Sequence, residues 1–253
     1  MASKKINSIL ISQPAPSDKN SPYFRLADNY NIDVQFRKFI QVEGVSLNDF
    51  RKQGIQPLDF SAVIFTSKVA VDHFFRLMEE MRAEMPPDTK YFCVSEATSK
   101  YLQKYIVIRK RKLFVGDRTA MDLAPYVQKH KSEKFLFPCS NIHHRKLPDF
   151  MREKGMDITE SVIYETVASD LSDLSDVTFD LICFFSPSGL QSLFKNFPDF
   201  KQNDTRIGVF GPTTAKEAHK MGLDVVIEAP RPNVPSMTSA IESYLKELGQ
   251  ERN

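Results

Sequence analysis

Ala62-Val63-Ile64-Phe65-Thr66-Ser67 is a compact apolar run that ends in two hydroxyl side chains. A short apolar run without alternation reads as a strand buried on both faces, the kind that parallel sheets contain. Helical spacing follows at once. Val71, Phe74, Phe75, Met78 and Met81 recur on one face to about Arg82, and Pro86-Pro87 is expected to stop that helix. Strand, hydroxyl-bearing turn and helix form the repeating phrase of an α/β fold. The phrase returns at Phe184-Phe185-Ser186-Pro187-Ser188-Gly189, where an apolar strand over residues 181–185 gives way to another helix.

Neighbouring segments pair up in the same way. A strand ending in a small-residue turn with Thr occurs at Val94-Ser95-Glu96-Ala97-Thr98 and again at Phe210-Gly211-Pro212-Thr213-Thr214. A unit of strand, loop, helix and strand spans residues 5–40, where Ile9-Leu10-Ile11 leads to a helix over 23–30 and then to alternating Ile32, Val34 and Phe36. It recurs over residues 133–167, with Phe135-Leu136-Phe137, a helix over 147–154, Gly155 as its C-cap and a strand within 158–167. Residues 225–227 read as a further strand. Met237, Ile241, Leu245 and Leu248 mark a last amphipathic helix. The fold class is therefore α/β: two similar domains, each a parallel sheet flanked by helices. Which copies pack together stays open at this point. A tandem arrangement would divide the chain near Glu133, and an exchanged one would make the first domain discontinuous.

Composition fits that reading. The chain has 253 residues, 42% hydrophobic and 26% charged, enough for two small cores. A net charge of +2 argues against a dedicated nucleic-acid binder. Cys93, Cys139 and Cys183 each lie in or beside an apolar strand and read as buried thiols in a reducing compartment. The apolar stretch at Ile6 to Ile11 is too short for a signal peptide, and no run approaches a membrane span. A cytoplasmic protein with no membrane partner is expected.

Four loops place Ser67, Thr98, Ser186 and Thr213 between a strand's carboxyl end and a helix start, the end where open α/β sheets bind ligands. Free N–H groups at helix starts suit anions. Taken singly, each hydroxyl is better explained as an N-cap, a position Ser and Thr favour. Their recurrence in a duplicated arrangement points to an anion-rich ligand lying between the domains. Other features carry less. His143-His144 are adjacent and read as a surface loop pair, not metal ligands. Arg109-Lys110-Arg111-Lys112 reads as a solvated edge. No dinucleotide or phosphate-loop motif occurs. No nucleophile, metal site or cofactor site stands out, so an enzyme built this way would act by positioning and hydrogen bonding.

Several words taken together resemble the uroporphyrinogen-III synthase family: Ile64-Phe65-Thr66-Ser67 with Ala70-Val71, Phe137-Pro138-Cys139 with Leu147-Pro148 and Lys154-Gly155, Val162-Ile163-Tyr164-Glu165-Thr166, Phe184 through Gly189, and Gly211-Pro212-Thr213-Thr214-Ala215 with Gly222. They fall in family order over nearly the whole chain. One turn departs, with Ser95 where the family has Gly and Ser99 where it has Ala. The resemblance implies the exchanged arrangement, residues 1–39 with 169–253 against 40–168, joined by a two-stranded linker. It implies hydroxymethylbilane as substrate, closed to uroporphyrinogen III with loss of water and inversion of ring D in the cleft between the domains. It implies no metal or organic cofactor, a monomer, and the upstream hydroxymethylbilane synthase as a partner. Among residues, it implies Tyr164 as catalytic, with Thr66, Ser67, Thr98, Ser186, Ser188, Thr213 and Thr214 binding substrate. The Ser95 departure and the lack of a strong acid or base keep one alternative in view, a non-catalytic protein that binds a tetrapyrrole or other acidic ligand on the same scaffold.

Overall fold

Strands and helices alternate through the computed structural model, which describes residues 5–252. In chain order they are β1 (Ser8–Ile11), α1 (Pro22–Tyr30), β2 (Asp33–Phe36), β3 (Ile40–Gly44), α2 (Leu47–Lys52), β4 (Ala62–Phe65), α3 (Lys68–Glu80), β5 (Lys90–Cys93) and α4 (Glu96–Leu102). Then come β6 (Leu113–Val115), α5 (Ala124–Lys129), β7 (Lys134–Ser140), α6 (Lys146–Glu153) and β8 (Asp157–Ala168). The chain closes with β9 (Leu181–Phe184), α7 (Pro187–Asn196), β10 (Arg206–Phe210), α8 (Pro212–Lys220), β11 (Val225–Ala229) and α9 (Met237–Glu247).

Two compact units result. One comprises Met1–Gln41 with Val167–Asn253, the other Val42–Thr166. The first holds a five-stranded sheet in the order β11-β10-β9-β1-β2, its neighbouring strands parallel. The second holds a six-stranded sheet, β3-β8-β7-β4-β5-β6. Its strands from β8 to β6 are parallel. The β3 edge departs from the all-parallel expectation. Ser169 N–H donates to the Phe39 carbonyl and Val45 N–H to the Ile163 carbonyl, so β3 runs antiparallel to β8. Phe39, fully buried, also takes the Ser192 hydroxyl on its carbonyl at 2.5 Å.

The sheet orders resolve the duplication. The unit β1-α1-β2 lies beside β9 and β10, whereas its copy β7-α6-β8 lies beside β4 and β5. Each sheet thus combines a copy from one half of the chain with a copy from the other.

Period-two side chains build a core on each sheet face. Ile9, Ile11, Leu181 and Cys183 face α1 and α9, while Leu10, Ile182 and Phe184 face α7 and α8. In the second unit Val63, Phe65 and Cys93 face α3 and α4. Ala62, Ile64, Phe92 and Phe137 face α5 and α6.

Two sequence expectations shift. α3 ends at Glu80, and Arg82 turns the chain in the left-handed region at φ 52°. Pro86-Pro87 therefore lie beyond a stop already made. The basic run is no simple solvated edge. It forms a single 3-10 turn into β6, and Lys112 is 9% exposed, bonded to Asp88 and to the Pro87 carbonyl. No helix among the described residues is long and apolar enough to cross a membrane.

Candidate functional site

In an open α/β sheet, ligands bind at the carboxyl ends of strands where the winding reverses. In the second unit that point lies between β7 and β4. From β7 the chain goes to α6, which packs on one face; from β4 it goes to α3, which packs on the other. Thr66 and Ser67 follow β4 there, and Ser140 and Asn141 close β7. Ser67 caps α3, its hydroxyl accepting from the Ala70 N–H at 3.0 Å.

Tyr164 reaches the same point through a local irregularity. Cys139 pairs with Val162 but Ser140 pairs with Tyr164, so Ile163 is an extra residue in β8. Such a bulge re-aims the side chains beyond it. Ile163 and Tyr164 consequently both pack toward the core that α3 covers, while Val162 packs on the opposite face. The Tyr164 hydroxyl then lies 3.4 Å from the Ser67 hydroxyl. Thr66 and Tyr164 share a recess of about 520 Å³ with Arg118, His143, His144 and Lys146. Larger hollows, about 970 and 680 Å³, include residues just before β5 and β6 and just before β9 and β10, at the amino ends of the sheets.

His143 is no plain surface residue. It is half-buried, with Nδ1 2.7 Å from the Ser140 carbonyl and Nε2 against the Glu160 carboxylate. Burial alone would raise the Glu160 pKa; bonds from Arg152 and His143 outweigh that and hold it below the usual carboxylate range. Cys139 sits beside this pair, and its Sγ, His143 and Glu160 are close enough to share an ion. Each already has a protein partner: Cys139 donates to the Ser161 carbonyl, and Arg152 occupies Glu160. Burial pushes the Cys139 thiol up to about 12.

In the first unit the reversal lies between β9 and β1. Ser186 follows β9, with its hydroxyl accepting from the Gly189 N–H at 3.2 Å, and Ser12 follows β1. Ser188 is half-buried in the first turn of α7. The turn before α8 differs. Gly211 holds φ 90° and ψ 147°, a region essentially reserved for glycine, and no side chain caps the helix. Thr213 is exposed, and Thr214 is 1% exposed.

Two cap readings change accordingly. The caps are Ser67, Ser95, Ser186 and the bare Gly211; Thr98 and Thr213 lie inside their helices. Thr98 is 4% exposed and its hydroxyl is 3.2 Å from that of Ser95. Ser95 takes φ −153°, ordinary extended backbone, so the serine stands there without strain. The structure thus brings Thr66, Ser67 and Tyr164 together in one unit and sets Ser186, Ser188, Thr213 and Thr214 at helix starts in the other. Sequence reading passed over Ser140, Asn141, Arg118 and His73. The first two follow only from knowing which strands are neighbours.

Comparison with known proteins adds an independent line. The family model described as "Uroporphyrinogen-III synthase HemD" matches residues 32–239. The chain is similar to a Saccharomyces cerevisiae uroporphyrinogen-III synthase, 23% identical over 189 residues, which are 66% of this chain and 68% of the yeast protein. Its fold is similar to the crystal structure of uroporphyrinogen-III synthetase from Helicobacter pylori, at a TM-score of 0.58 and 20% identity over 96% of this chain and 100% of that one. A mutant uroporphyrinogen III synthase from Thermus thermophilus gives a TM-score of 0.54 at 14% identity, over 97% and 100% of the two chains.

Proposed function

The chain belongs to the uroporphyrinogen-III synthase family, and on that premise we propose how its residues carry out the reaction. The activity is that of a cyclising lyase in porphyrin and heme biosynthesis. Hydroxymethylbilane loses water, its ring D is inverted, and the macrocycle closes as uroporphyrinogen III. Without control of geometry the same bilane closes directly to the type I isomer, so the protein's task is to place ring D before that occurs.

The observation that supports a site at β4 and β8 is the Tyr164 hydroxyl beside Ser67 at the winding reversal. The phenol hydroxyl of Tyr164 is a hydrogen-bond donor and can donate to the departing hydroxyl. Ser67 orients that donor, and Thr66 offers a second hydroxyl in the same recess. The substrate's acetate and propionate groups meet helix starts. Ser186 and Ser188 serve at α7, and the uncapped N–H groups of Thr213 and Thr214 serve at α8. Thr98, with its hydroxyl on Ser95, holds its turn in shape.

The three thiols are free and buried, which fits a reducing compartment such as the cytoplasm. The protein acts as a monomer. Because its substrate closes spontaneously, transfer from the hydroxymethylbilane synthase that makes it should be short-ranged.

The test supplies hydroxymethylbilane, generated in situ, to the wild type and to Tyr164→Phe, and separates the oxidised products by isomer. The wild type should yield type III, and the variant should lose about 10²-fold or more in turnover, as removal of a positioned proton donor does. A folded Tyr164→Phe protein with wild-type kinetics would remove Tyr164 from the chemistry.

A further inference from the structure

Tyr164 needs a fixed ring if its hydroxyl is to donate in one direction, and the neighbour that meets its face lies on α3. The His73 imidazole is nearly parallel to the phenol, with centroids 5.3 Å and planes 18° apart. Both side chains are half-buried. The backbone of β3 closes on the same imidazole. A Cβ at Gly44 would fall 2.8 Å from His73 Nδ1 and 3.0 Å from Cε1, and 2.9 Å from Nη2 of Arg76. Real Cβ atoms do not approach that closely, so only glycine lets strand and ring meet there without one of them moving. Arg76 is itself tied down, donating to the Val45 carbonyl at 2.7 Å. Strand and guanidinium therefore crowd the imidazole that lies on Tyr164.

We propose that His73 is a positioning residue for Tyr164: it sets the plane of the phenol so that the hydroxyl beside Ser67 points at the group leaving the substrate. The proposal rests on the reading of Tyr164 given above. His73 touches no substrate and transfers no proton. Burial, and then the adjacent Arg76, hold its imidazole below the ordinary histidine pKa against a smaller opposing pull from Asp72. At neutral pH it is an uncharged aromatic ring, suited to stacking.

The test compares His73→Ala, His73→Phe and Gly44→Ala with the wild type. His73→Ala removes the stack, His73→Phe keeps a flat ring, and Gly44→Ala presses a Cβ against the imidazole without altering either ring covalently. Turnover should fall about tenfold in His73→Ala with KM changed less than about twofold, since misplacing a reacting group costs rate and not binding. His73→Phe should recover most of that loss, and Gly44→Ala should resemble His73→Ala. Added to Tyr164→Phe, His73→Ala should cost nothing more, because the group it positions is gone. A second readout needs no turnover. In protein labelled with 3-fluorotyrosine, the fluorine resonance missing from Tyr164→Phe belongs to Tyr164. It should move in His73→Ala and return toward its place in His73→Phe.

An unmoved resonance, an equal rate loss in the Tyr164→Phe background, or no rescue by Phe would each overturn the proposal. Should Tyr164→Phe itself keep full turnover while the resonance still moves, the stack exists but Tyr164 is not the donor. The reading of the site then falls, and the role of His73 falls with it.

Discussion

Ser67 joins two tasks in one hydroxyl, closing the first turn of α3 and sitting beside the Tyr164 hydroxyl. Ser67→Ala should therefore lose about 1 kcal/mol of stability as a cap, and turnover should fall severalfold as well. Ser186→Ala removes the equivalent cap of α7 and gives the comparison. Denaturant midpoints read the first effect and isomer-resolved kinetics the second; equal stability loss with a larger rate loss at Ser67 is the expected result. Glu160 gives a prediction in pH. Its carboxyl is held below the usual range, so the stabilisation it contributes is present above the unfolded value of about 4.3 and is lost as pH falls through its own lower value. Thermal midpoints of the wild type and Glu160→Gln should differ at pH 7 and converge as the medium is acidified below pH 4.3.

Among the elements, the two glycine-or-serine turns ask opposite things of their first residue. Gly211→Ala forces a Cβ into a region that only glycine visits and should cost about 1–3 kcal/mol. Ser95→Gly meets no backbone strain but takes the hydroxyl partner from the buried Thr98 side chain, and should cost less, about 1 kcal/mol. Urea unfolding of the two variants checks the contrast. These turns also show what was legible beforehand. Ala62–Phe65 and Leu181–Phe184 are buried along their whole length, so their apolar runs announce strands. β3 and β6, the two edges of their sheet, are short and have no buried residue, and they leave no such mark. Hydroxyls at helix starts could be read, yet the capping residue at Ser95 and Gly211 was misplaced by a few positions because Thr is itself a common cap. The bulge that turns Tyr164 toward α3 and the stack on His73 depend on contacts distant in sequence, and no local pattern encodes them.

For the whole molecule, the division of cores has a direct test. Val42–Thr166 is one continuous segment with its own sheet and with apolar clusters on both faces. Expressed alone it should fold, giving a cooperative melt and a dispersed amide spectrum. The other unit needs both ends of the chain, so residues 1–41 alone should give neither. Exchange of duplicated copies is also what composition could not reveal. Both arrangements bury the same runs, and only the pairing of β1 with β9 and of β4 with β7 distinguishes them.

That pairing sets an order on biosynthesis. As the polypeptide leaves the ribosome, β1 emerges well before its neighbour β9, which is made only after the entire Val42–Thr166 segment. The middle of the chain can mature while the beginning still waits with an unmatched oily edge. Nascent chains stalled shortly before residue 181 are consequently the ones that most need a chaperone.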